Sequence, residues 1–321
     1  MRRYAILFAL VSLLLPVTVF SQTRTPEAAL SLFDKALKKS GKGDLDGAIE
    51  DYTRAIRLSS RFDTSKELAS KEPESRVANS FAGSSDSIKV IDPFTANAYT
   101  NRGLVRFHKG DYAGAIEDYN EALRIRPSLP SAYLNRAAAL RAAGNTEAAI
   151  KDLDRAIVLN KNFFEAFSNR GSLRLDLGDP KGALSDLNRA IELNDRVPQP
   201  FYQRGYVHLA LKNFALAVAD FDRAIQLEPN MAWAYQGRGT SVMYQGKMLQ
   251  AIDDFTRAIE LDPQIAWAYF NRGLAKVFLG QEAEAENDFA ESLRLKPELK
   301  DQLEQRIDLA RHLRRIGNSK P

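Results

Sequence analysis

The chain has 321 residues, 45% of them hydrophobic and 27% charged, with a formal net charge of +4. Its basic residues are scattered rather than gathered into a tract, so the composition offers no footprint for a nucleic acid. Cysteine is absent, which excludes disulfides, thiolate metal sites and cysteine nucleophiles and leaves packing as the source of stability.

The first element is a leader. "MRRY" supplies positive charge, the 16-residue run "AILFALVSLLLPVTVF" is apolar, and Val19 and Ser21 stand where a signal peptidase accepts small side chains. This pattern predicts a secretory signal peptide over residues 1–21, with Gln22 as the new terminus. An uncleaved anchor is the alternative, but the run falls short of the roughly 20 residues of a spanning helix, so no integral span is expected in the mature chain. The short Arg-Arg leader makes a bacterial periplasm, or secretion, the expected destination.

Residues 22–60 read as one helical hairpin: a helical stretch from Pro26, then "GDLDGAIEDYTRAIRL" over 43–58. Residues 61–93 are rich in serine and lack the spacing seen on either side. They are expected to form an inserted loop, in which "RVANSF" and "SIKVI" are placed to pair as a short β-hairpin.

From residue 94 to 297 the chain is periodic. Gly110, Gly144, Gly178, Gly246 and Gly280 fall on a 34-residue comb, with Lys212 in the one missing place. Alanines recur at 115, 149, 183, 217, 251 and 285. Four residues later comes a bulky apolar residue (Tyr119, Leu153, Leu187, Phe221, Phe255, Phe289), and three further on a small one (Ala122, Ala156, Ala190, Ala224, Ala258, Ser292). Spacings of four and three put these on one helical face, where alanines admit a second helix and the bulky residue fills the gap. The comb glycine ends one helix and turns the chain into the next. Each unit is thus a helix–turn–helix hairpin that buries its apolar face only by stacking on neighbours.

These residues resemble the tetratricopeptide repeat. Six units begin at Ala96, Pro130, Phe164, Pro198, Ala232 and Ala266, and with the earlier hairpin the resemblance covers seven repeats. It implies an all-α, right-handed superhelical solenoid of hairpins that binds a protein or peptide in its concave groove, with no catalysis and no cofactor. The chain departs from the family in one respect. Arginine replaces the usual leucine at 102, 136, 170, 204, 238 and 272, and the usual aromatic four residues on is Arg106, Leu140, Arg174, His208, Val242 or Lys276.

Sixteen residues after each of those arginines stands an aspartate: Arg102/Asp118, Arg136/Asp152, Arg170/Asp186, Arg204/Asp220, Arg238/Asp254 and Arg272/Asp288. Lys35/Asp51 repeats the spacing in the first hairpin. Across a hairpin turn this distance predicts an ion pair that replaces the apolar contact of leucine. Binding of an anionic ligand is the alternative use of the arginines.

Just before the arginine stands an amide in five units: Asn101, Asn135, Asn169, Gln203 and Asn271, with Gly237 as a gap. In the family this place faces the groove, and the arrangement is similar to the asparagine ladder of O-linked N-acetylglucosamine transferase. An amide both donates and accepts, so it can hold a peptide backbone whatever its side chains. Bridging to the neighbouring repeat is the other reading. Tyr202, Tyr206, Trp233, Tyr244, Trp267 and Phe270 fall on groove places in the last three units, where aromatics anchor extended or apolar ligands. Packing between repeats is the alternative for Trp233 and Trp267.

Residues 298–321 read as a capping helix and tail. Leu299, Leu303, Ile307, Ala310 and Leu313 make its apolar stripe, and Arg311, His312, Arg314 and Arg315 its solvated end. The three histidines, at 108, 208 and 312, have no metal-ligand or triad spacing, and the glycine pairs complete no phosphate-binding pattern. The chain therefore reads as a non-catalytic scaffold or adaptor at the cell envelope. An accessory substrate-docking subunit of an envelope enzyme is the alternative.

Overall fold

The computed structural model describes residues 25–61 and 93–318. The expected signal peptide at 1–21 lies outside the described residues, as does the expected insert except for Arg61 and Pro93, which belong to helices. The regular elements among the described residues are all helices, grouped in two compact units, one up to Ala166 and the other from Phe167 on.

In the first unit α1 (Glu27–Gly41) and α2 (Leu45–Arg61) form a hairpin, followed by α3 (Pro93–His108) with α4 (Tyr112–Ile125) and α5 (Pro130–Ala142) with α6 (Thr146–Leu159). In the second, α7 (Phe164–Asp176), whose first turn precedes the boundary, pairs with α8 (Pro180–Leu193). It is followed by α9 (Pro198–Ala210) with α10 (Phe214–Leu227), α11 (Ala232–Tyr244) with α12 (Met248–Leu261), and α13 (Ala266–Leu279) with α14 (Glu282–Leu295). A 3₁₀ turn (Pro297–Leu299) then leads into α15 (Lys300–Asn318). The fold is the all-α solenoid of stacked hairpins that the 34-residue comb predicts.

The comb shows why. Each comb glycine sits in the left-handed region, at φ between 81° and 85°, where a Cβ would be strained; Lys212, filling the missing place, is forced to φ 61°. The next residue caps the second helix: Asp111 accepts from the Gly114 amide at 2.9 Å and Asp179 from the Gly182 amide at 2.9 Å. The comb alanines are fully buried, so the two helices of a hairpin close on one another. Where the bulky residue crosses, the facing helix carries glycine in five of the six units and Ala137 in the other. A Cβ on Gly103 would stand 2.8 Å from the Tyr119 ring, and one on Gly273 2.4 Å from Phe289.

Hairpin stacks on hairpin by the same logic. In the first unit Phe33 packs against Tyr52 and Phe94, both at 5.3 Å between ring centres, and Ser59 shares a buried 2.8 Å hydrogen bond with Thr95. The α1–α2 hairpin therefore rests directly on α3, although 31 residues of chain, 62–92, separate them. In the second unit Leu299, Leu303 and Ala310 bury themselves on a cluster containing Phe270, Leu274, Val277 and Phe289, which makes α15 the cap. Two expectations for this helix need correcting. Its buried stripe stops at Ala310, because Leu313 is 47% exposed. Nor is its basic end simply solvated. Arg311 and Arg314 pair with Glu282 at 2.7 and 3.1 Å, and Arg314 Nη1 donates at 2.9 Å to the Val277 carbonyl, which also accepts from the Gly280 amide at 3.0 Å. Among the described residues no helix is long and apolar enough to cross a membrane.

Candidate functional site

The six arginine–aspartate spacings all close as forked ion pairs. Nη2 donates to Oδ1 at 2.6 Å in every one, and Nε to Oδ2 at 2.7 to 3.0 Å. The aspartates are buried, and burial pushes the Asp118 and Asp254 carboxyls up against the pull of Arg102 and Arg238. The remaining guanidinium nitrogen reaches back to the preceding hairpin: Arg136 to Asn120 at 2.7 Å, Arg204 to Asn188 at 2.8 Å, Arg238 to Asp222 at 2.7 Å, Arg272 to Thr256 at 3.1 Å. Each guanidinium also lies over the aromatic ring three residues earlier, 5.3 to 5.7 Å from its centre. In Arg136, Arg204, Arg238 and Arg272 the guanidinium joins its own hairpin to the one before, and in all six the fork is taken up by aspartate and not presented to a ligand.

The polar residue four places on, where the family has an aromatic, completes this arrangement. Arg106 approaches Asp118 at 3.2 Å, Arg174 Asp186 at 2.7 Å, and Lys276 Asp288 at 3.0 Å. His208 Nε2 stands 3.8 Å from Asp220. In the first hairpin the same place is Lys39, and it holds Asp51 at 2.7 Å; Lys35 does not.

The amides do not form an open ladder. Asn101 is 1% exposed, Asn135 3%, Gln203 0%, Asn271 9%, and Asn169 is likewise buried. A peptide in the groove cannot reach a carboxamide enclosed between packed helices. Bridging is what the structure shows where the bonds are resolved: Ser168 Oγ donates to Gln203 Oε1, and Asn271 Nδ2 to Thr240 Oγ1 at 3.3 Å. The gap at Gly237 is a packing requirement, since a Cβ there would lie 2.4 Å from the Phe221 ring.

The aromatic residues do meet. Within the second unit Tyr206 of α9, Trp233 and Tyr244 of α11, and Trp267 and Phe270 of α13 wall a cavity of about 560 Å³. Trp267 packs against Phe270 at 5.1 Å between ring centres, and Tyr244, 49% exposed, stacks on Phe214 at 5.1 Å. Both tryptophans are half-buried and also belong to the apolar clusters between hairpins, so each of their two readings describes one side of the ring. Tyr202 is off the cavity; it is buried against Tyr206 and Phe221 and supports the wall from behind.

A hydrogen-bonded strip runs between these walls. Tyr206 Oη donates to Gln236 Oε1 at 2.7 Å, and Gln236 Nε2 to Thr240 Oγ1 at 3.1 Å, which also receives Asn271 Nδ2. Gln236 and Thr240 were not among the sequence candidates. They were findable, since Gln236 stands 34 residues before Phe270 and Thr240 34 after Tyr206. The last wall comes from the 3₁₀ turn and α15 through Leu299, Gln302 and Arg306, which no periodicity marks. Among the described residues no His, Asp and Glu gather as a metal site.

Family models described as TPR repeat match residues 103–144, and models described as tetratricopeptide repeat match 168–232 and, separately, 130–163 and 268–299. Among solved structures, a tetratricopeptide repeat protein from Parabacteroides merdae is 22% identical, with 89% of this chain and 99% of that one aligned at a TM-score of 0.61. A chain of the APC/C hetero-tetramer Cut9-Hcn1 is 14% identical, covering 82% of this chain and 55% of that one at 0.62. Pseudomonas aeruginosa pilF is 19% identical, covering 63% and 92% at 0.57. No curated protein matches the sequence. At these identities the likenesses establish the fold alone.

Proposed function

We propose that this chain, a tetratricopeptide-repeat protein, is a non-catalytic scaffold that takes an extended segment of a partner protein into the aromatic cavity of its last hairpins. One observation carries the reading. Aromatic residues from three successive hairpins converge on a single open cavity of about 560 Å³, within the size range of ligand sites, while the arginines and amides of the repeat are engaged in packing. Trp233, Tyr244 and Trp267 are the residues that meet the ligand, and the buried rings of Tyr206 and Phe270 back them. Large rings supply contact area at small entropic cost, and such residues dominate binding energy at interfaces.

The test uses the chain from Gln22 onward, beside Tyr244→Ala and Trp267→Phe variants of matched thermal stability, to capture partners from envelope extract. A partner held by the parent and lost by the variants supports the cavity as the site. Equal capture by all three moves the site elsewhere. Capture of an active enzyme would make the chain an accessory docking subunit. Export to the periplasm is part of the proposal and is supported by the cationic leader and the short apolar run after it. A periplasmic fraction containing the chain from Gln22 on, by mass, is the expected result; a cytoplasmic chain that keeps residues 1–21 would sink it.

A further inference from the structure

We infer that the segment bound in this cavity is acidic as well as apolar: bulky side chains lodge among the aromatic walls, and a side-chain carboxylate seats on Arg306. The inference rests on the cavity being the peptide site and specifies what it accepts.

The polar strip does not read the ligand. Gln236 and Thr240 spend their bonds on Tyr206, Asn271 and each other, so they hold the walls in place. What selects the ligand is then the shape of the rings and the charge at the rim. Arg311 and Arg314 of α15 are tied to Glu282, but Arg306 has no ion pair among the described residues and lies exposed on the cavity lining. A free guanidinium beside aromatic walls offers a planar, two-pronged seat for a carboxylate, in surroundings of lower dielectric than open water.

Glu298, which carries a contact of its own, also lines the cavity, from the 3₁₀ turn that leads into α15. The seat assigned to the ligand carboxylate is therefore Arg306.

Both tryptophans of the protein stand in the cavity walls, so intrinsic fluorescence reports occupancy without a label. The probes are a hexapeptide alternating leucine and aspartate and its counterpart with lysine for aspartate. Both are blocked at each end so that only side-chain charge differs. The aspartate peptide is expected to shift tryptophan emission with an affinity about five-fold or more tighter at low salt, a difference that fades as salt is raised. Arg306→Gln should level the two peptides and Arg306→Glu should reverse them; the exposed position makes both substitutions benign to folding. Equal or tighter binding of the lysine peptide, or an order unmoved by Arg306→Glu, would overturn the acidic preference and leave the cavity standing. No change in emission with either peptide would overturn the cavity as a peptide site, and the acidic preference with it.

Discussion

A buried carboxylate held by two cations loses less than one held by a single cation when an arginine is removed. Asp186 is forked by Arg170 and met again by Arg174, whereas Asp152 relies on Arg136 because its neighbouring place is Leu140. Arg136→Leu is therefore expected to cost about 3–5 kcal/mol, the usual penalty for stranding a buried charge, and Arg170→Leu clearly less. Denaturant unfolding midpoints of the two variants check this; equal losses would mean the second cation contributes nothing. His208 is the titratable version of that second cation. Burial lowers its pKa, Asp220 pulls the other way, and Arg204 lowers it further. The folded state thus resists protonation more than the unfolded chain, whose histidine titrates near pH 6.5. Stability present at neutral pH is expected to fall as pH drops through about 6.5 and to level off below the folded pKa, where both states are protonated. The His208→Gln variant should lack this slope between pH 7 and 5, and a parent slope identical to the variant's would exclude His208 as its source.

At the scale of elements, the sequence makes helices legible and exposure illegible. The alanine and bulky-residue comb marks one face of every second helix, and α4, α6, α8, α10, α12 and α14 follow it. The sixteen-residue arginine–aspartate spacing gives the facing of first helix on second. Neither signal says whether Asn101 or Gln203 looks into a groove or between helices, because that depends on how closely the next hairpin approaches. The α15 latch was unreadable for a related reason. Glu282 and Arg311 are 29 residues apart and occur once, so no repeat advertises them. Glu282→Gln is expected to loosen α15 while leaving the hairpins before α13 intact. Faster hydrogen exchange confined to α15 and the end of α13 is the predicted pattern. Unchanged exchange there would show that Leu299, Leu303 and Ala310 hold the cap unaided.

At the scale of the whole molecule, stability in a solenoid is a sum of hairpins and their nearest-neighbour contacts. That is why so much of the fold was legible: the same few residues solve the same packing problem every 34 residues. The cavity was legible only in part, for the complementary reason. Trp233 and Trp267 stand one repeat apart and could be paired on paper, but the wall that completes the site comes from α15, after the repeats end. Deleting residues 297–321 tests both halves of this argument. It strips Leu299, Leu303 and Ala310 from Phe270, Leu274 and Phe289, and takes the Arg306 rim with them. Uncovering three or four large apolar contacts is expected to destabilise the α13–α14 hairpin by several kcal/mol, at about 1.5–3 kcal/mol per buried side chain. Tryptophan emission should move to longer wavelength as Trp267 meets water. Exchange in α8 should not change, because two further hairpins separate it from α13 and stabilisation in a solenoid passes between nearest neighbours. A shortened chain with the parent's emission and midpoint would mean that α15 is neither the cap of the last repeat nor a wall of the site.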